Sequence, residues 1–129
     1  MKRRQDWPER LADYLDAQRD VAFSWASHSC AAFAAGAVEA MTGEAVDIPA
    51  HGSAREAAGL LAARSLRERI GDMFGPEIVP ALAQRGDLVL VDIAGRESVA
   101  VCIGAEAAGP GDAGLLTVPM RLAVAAWRV

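Results

Sequence analysis

The segment from Cys30 to Met41, CAAFAAGAVEAM, carries a single charged residue, Glu39. A helix with so little polar surface cannot rest one face in water, so other elements have to cover it from several sides. Its alanines and glycine allow each of those elements to approach closely. Ser27 or Ser29 supplies a cap at its start, and Thr42-Gly43 supplies a stop. The rest of the chain has to be arranged around this helix.

Upstream, Asp6 can cap a helix with Pro8 in its first turn, which puts Leu11, Tyr14 and Leu15 on one face. Downstream, VDIPAHGS is a loop ending in the capping box Ser53 to Glu56, and a second box spans Ser65 to Glu68. Arg64, Arg67, Glu68 and Arg69 make a solvated face, and Gly71, Gly75, Pro76 and Pro80 break the region into short pieces. The period then changes. DLVLVDI and SVAVCIG are rich in valine and isoleucine and are separated by AGRE, which predicts a β-hairpin. GAEAAGPGDAG is predicted to be a surface loop leading to a third strand, LLTVPM, and LAVAAWRV to be a short helix or turn. Helices followed by an antiparallel meander predict an α+β fold, with residues 1–129 as one domain.

Charge narrows the partners. Thirteen basic residues are scattered among 17 acidic ones for a net charge of −4, and the only basic run is Lys2-Arg3-Arg4. That argues against nucleic acid and against an anionic membrane surface. No stretch resembles a signal peptide, and the apolar run at Cys30–Val38 is too short to span a bilayer, so no membrane insertion is expected. The two cysteines, Cys30 and Cys102, form no disulfide framework and predict a reduced compartment.

The candidate chemistry centres on Cys30. A thiol at a helix N-terminus feels unpaired backbone N–H groups and the positive end of the helix dipole, both of which favour the thiolate. A free cysteine is equally at home as a small packing residue. Two histidines could serve as its base: His28, two residues away, and His51 in the PAHGS loop. His28 and Cys30 could open a zinc site, but no second ligand pair follows, and Cys102 belongs to a strand that puts it in the core, so no metal is expected. The glycine-rich segment lacks a following Lys-Ser/Thr and helix, which removes a phosphate loop, and no cofactor is expected. Asp87 and Asp92 flank a strand, and Asp13 and Asp16 lie on a solvated helix face; neither pair has the setting of an acid and a base. Trp7, Trp25 and Trp127 are anchors at the edges of the core, with Trp127-Arg128-Val129 as an alternative docking tail.

The order of these parts resembles the NlpC-type cell-wall peptidases and their papain-like relatives, and most of all a small branch found in phages and prophages. Ser29-Cys30 after Trp25-Ala26 occupies the place of that group's Asp-Cys pair after Trp-Gly, and Gly86-Asp87-Leu88-Val89 matches its GDLV strand. The segment AAWRV, Ala125 to Val129, is similar to the ending of the phage branch. The resemblance implies a buried Cys-bearing helix packed on a small antiparallel sheet. It also implies a catalytic histidine at the start of the strand SVAVCIG, where this chain has Ser98. A serine hydroxyl takes no proton near neutral pH, so the expected thiol–imidazole pair is missing as aligned. Two functions follow as expectations. One is a structural or adaptor role in a phage tail tip or hub, with other tail proteins as partners, in the virion and in the host cytoplasm during assembly. The other is a cysteine peptidase or amidase cutting peptidoglycan stem peptides, with Cys30 as nucleophile and His28 or His51 as base.

Overall fold

The computed structural model describes residues 2–24, 29–46, 48 and 65–129. Among these, three α-helices precede a five-stranded antiparallel sheet: α1 (Trp7–Ala17), α2 (Cys30–Thr42), α3 (Leu66–Phe74), β1 (Leu88–Ile93), β2 (Arg96–Cys102), β3 (Glu106–Gly111), β4 (Gly114–Pro119) and β5 (Ala123–Trp127). The strand order is β4-β3-β2-β1-β5, so the chain runs as a meander and then returns to place β5 beside β1. The architecture is α+β.

The apolar helix α2 is covered as its composition requires. Ala31, Phe33, Ala34, Ala37, Val38 and Met41 are buried against Leu88, Leu90, Val99, Val101 and Ala108 of the sheet and Leu11 of α1. Ser29 is the cap, its Oγ accepting from the Ala32 N–H at 3.1 Å, and Gly43 ends the helix with a left-handed φ of 76°. Arg4 N–H donates to the Met41 carbonyl, whereas Tyr14 reaches Phe33, so α1 and α2 run antiparallel. Gly36 makes that contact possible. The Tyr14 hydroxyl donates to the Phe33 carbonyl at 2.8 Å, and a Cβ at Gly36 would lie 2.3 Å from the same hydroxyl.

The centre of the sheet is buried on both faces, which is why Leu88–Val91 of β1 and Val99–Cys102 of β2 read as continuous apolar runs rather than as an alternation. Leu88, Leu90, Val99, Val101, Ala125 and Trp127 face the helices. Val89, Val91, Ala100, Cys102, Ala107 and Ala126 face the other way, where Ile78, Ala83, Val118, Met120 and Ala123 pack on them from loops, short 3-10 turns and neighbouring strands.

Three sequence expectations change. Residues 104–114 are not all loop, because 106–111 form β3. Ala107 and Ala108 pair with Cys102 and Val101 and are fully buried, while β2–β3 pairing ends there, so Pro110 removes no ladder bond to β2. LAVAAWRV forms β5 from Ala123 to Trp127, with only Leu122 belonging to a preceding 3-10 turn. Its alanines favour helix in isolation, but pairing with β1 across a bulge between Leu90 and Val91 buries Ala125, Ala126 and Trp127 and overrides that preference. Asp6 occupies the N-cap position of α1 without capping it; its carboxylate instead accepts from Arg10 Nε at 2.9 Å. The second capping box forms as expected, with Ser65 Oγ accepting from the Glu68 N–H at 3.1 Å. Trp25, Ser27 and the box Ser53 to Glu56 lie outside the described residues.

Candidate functional site

Cys30 is the first residue of α2, and Val99 of β2 packs beside it. The sulfur is partly buried at the edge of the helix-facing core. Two influences compete there. Burial pushes the thiol pKa above its ordinary value, while the backbone N–H groups of Val99, Ala31 and Cys30 itself pull it down; burial is the larger. The thiol is therefore held in its protonated form, the reverse of what a helix N-terminus alone would do.

Register decides what β2 presents to that thiol. Leu90 pairs with Val99 and Val91 pairs with Ser98, with no bulge between β1 and β2. Val99 belongs to the helix-facing cluster and Val91 to the opposite one, so the Ser98 side chain stands on the face of the sheet away from α2. The strand residues on the Cys30 side are Val99, which is 1% exposed, and Glu97. The structure therefore does not bring Ser98 and Cys30 together, although the strand resembling the histidine strand does run beside Cys30. His28 and His51 lie outside the described residues. Asp92 is directly opposite Glu97, and its carboxylate accepts from the Gly95 N–H at 2.9 Å. Glu97 also contributes to the field at Arg67, whose own partner is Glu77, held by two bonds of 2.6 Å. Among the described residues no group of three or more His, Cys, Asp or Glu could hold a metal ion, and no helix is long and apolar enough to cross a membrane.

The densest polar arrangement lies elsewhere, around Asp87. This carboxylate is 1% exposed and accepts from Arg3 Nη2 at 2.7 Å, the Gln84 N–H at 2.9 Å and the Val129 N–H at 3.3 Å. Arg3 also donates from Nε to the Val129 carbonyl at 2.7 Å and from Nη1 to the Arg85 carbonyl at 3.0 Å, with its guanidinium 4.2 Å from the centre of the Trp7 ring. A buried charge requires a partner and hydrogen bonds, and Asp87 has both. The cluster ties the segment before α1, the loop before β1 and Val129, two residues after β5, into one clasp. Sequence reasoning set Asp87 beside Asp92 and Arg3 within a short basic run. The available signal was an acid placed directly before the apolar run Leu88–Val91, where water cannot reach it.

Trp127 is not an edge anchor or a docking tail but a core residue, fully buried opposite Leu88. Its indole Nε1 has no hydrogen-bond partner among the described residues, and a Cβ at Gly71 of α3 would lie 3.9 Å from it. Trp7 is half-buried under Arg3.

No curated protein matches the sequence. Residues 2–129 match a family described as a domain of unknown function, DUF6950, and the chain belongs to that family.

Proposed function

We propose that the chain is a structural or adaptor component of the tail tip or hub of a phage or phage-derived particle, built on a papain-like, NlpC-type fold that has lost its hydrolytic chemistry. The observation that carries this reading is the condition of Cys30. The residue stands at the mouth of the buried helix, as the resemblance requires, but its thiol is held protonated by burial and the strand beside it offers Val99 in place of a base. A nucleophile needs a lowered pKa or an adjacent base. Its partners on this reading are other tail proteins, and its place is the virion tail, reached from the host cytoplasm.

A second reading is favoured by one observation. The N–H groups of Val99 and Ala31 flank the sulfur, which is where donors would stabilise a thiolate or a developing oxyanion. On that reading Cys30 attacks peptidoglycan stem peptides, with His28 or His51 as base.

One pair of measurements separates the two. Deletion of the gene is expected to abolish particle assembly, and purified protein is expected to leave muropeptides intact. Normal particles without the protein, together with muropeptide cleavage lost in Cys30→Ala, would replace the adaptor reading with the hydrolase.

A further inference from the structure

A shallow open groove of about 280 Å³ runs between the outer side of α1 and the start of β4, lined by Ala12, Leu15, Asp16, Arg19, Arg85 and Leu115. Its walls are fixed. The Leu115 N–H donates to the Arg19 carbonyl at 2.9 Å, which holds β4 against the end of α1. The loop that carries Arg85 is bonded at four consecutive residues: Gln84 N–H to the Asp87 carboxylate, the Arg85 carbonyl to Arg3, Gly86 N–H to the Cys102 carbonyl and Asp87 N–H to the Gln84 carbonyl. The clasp therefore presents Arg85 from a rigid backbone. Asp16 and Arg19 pair with each other, whereas Arg85 has no ion-pair partner among the described residues. What remains is one uncompensated guanidinium charge above an aliphatic floor of Ala12, Leu15 and Leu115.

We infer that this groove docks a segment of a partner protein in which an aliphatic side chain is followed by an acidic one, the aliphatic group on Leu15 and Leu115 and the carboxylate on Arg85. Charge complementarity selects the acid, because a guanidinium bonds a carboxylate through two parallel N–H groups. Size selects a side chain on a larger surface, because pockets that enclose whole small molecules begin at about 300 Å³ and are concave rather than open. The inference rests on the adaptor reading and names the chemistry of the surface through which it would act.

The test uses the full chain and a capped peptide, Ac-Ala-Leu-Glu-Ala-NH2, titrated into isotope-labelled protein and followed by amide chemical shifts. Resonances of Ala12, Leu15, Arg19, Arg85 and Leu115 are expected to move together with a Kd in the millimolar range, which one shallow contact supplies. Arg85→Gln, or the peptide with Gln for Glu, is expected to weaken binding about three- to fivefold, the size of a partly exposed ion pair, and Arg85→Lys to fall between the two, because an ammonium keeps the charge and loses the paired N–H groups. Added salt weakens the wild-type interaction and leaves the Arg85→Gln variant unaffected. Equal shifts from the Glu and Gln peptides, or no movement of these resonances, would overturn the assignment. Tighter binding of a peptidoglycan stem peptide at the same resonances would overturn it as well, by making the groove a substrate subsite. Particle assembly is a separate readout: normal particles in the gene deletion remove the adaptor reading, while an unresponsive groove in a protein still required for assembly removes only this surface.

Discussion

Cys30 and Asp87 both lie at the start of an element, Cys30 opening α2 and Asp87 preceding β1, yet their surroundings are opposite. The thiol has the position of a nucleophile and an environment that suppresses one: an apolar strand residue beside it and burial that holds its proton on. The carboxylate has an ordinary position in the sequence and the richest set of donors described in the protein, with three hydrogen bonds to a group that is 1% exposed. The lesson is that position along an element sets only a weak local field, whereas the partners that converge from distant segments set the chemistry. Arg3 and Val129 converge on Asp87 from two distant parts of the chain, and Gln84 joins them from the turn beside it. No titratable side chain among the described residues acts on Cys30 in the same way.

The comparison predicts unequal costs. Asp87→Ala strips a buried pair of one partner and leaves Arg3 with an uncompensated charge that is only 18% exposed, a change expected to cost about 3 kcal/mol. Against a typical total of about 5–15 kcal/mol this is a large share, measurable as a lowered urea midpoint. Asp87→Asn keeps one acceptor oxygen, enough for the Gln84 N–H or for the Val129 N–H and Arg3 but not for both sides, and is expected to cost less than Asp87→Ala. Cys30→Ala removes one partly buried sulfur and is expected to cost about 1 kcal/mol or less. If the two alanine variants unfold at the same denaturant concentration, the contrast between clasp and corner fails.

The same contrast explains what was legible in the sequence. The buried helix announced itself because a run with Glu39 as its only charge has one solution, complete cover. The hairpin of β1 and β2 announced itself through valine and isoleucine between turn residues. β3 and β5 were hidden because most of their residues are alanine, glycine and proline, whose preferences point to helix or loop; pairing with Val101, Cys102 and Val89 decides their state, and pairing is not local. The corner was half legible. Cys30 could be placed at a helix mouth, but the side chains that face it depend on strand register, and a shift of one residue exchanges the inward Val99 for the outward Ser98. The clasp was illegible for the converse reason, since Arg3, Asp87 and Val129 are far apart in the chain and meet only in three dimensions.

Reactivity tests the corner directly. Thiolate is the species that reacts with iodoacetamide, so a raised pKa predicts that Cys30 in the folded protein is alkylated at pH 7 several-fold more slowly than the same thiol in urea. Ser98→His is expected to leave that rate unchanged within about twofold, because the new imidazole would stand on the far face of the sheet. A clear acceleration in Ser98→His would show that the two residues communicate and would restore the corner as a dormant site.

Alkaline titration probes the helix side of the molecule through its protons. Tyr14, buried between α1 and α2 and donating to the Phe33 carbonyl, has its pKa pushed up by burial from 10.0 to about 12, and the Cys30 thiol is raised by burial as well. Both groups hold their protons more tightly folded than unfolded. They contribute stability that is complete below the unfolded-state values and lost as pH rises through the folded ones, which for Tyr14 is the window from about pH 10 to about pH 12. Tyr14→Phe is therefore expected to flatten the fall in urea midpoint above pH 10. If the slope above pH 10 were instead unchanged in Tyr14→Phe, the buried hydroxyl would not be the group whose ionisation unfolds the protein, and the contact between α1 and α2 would carry no proton-sensitive stability.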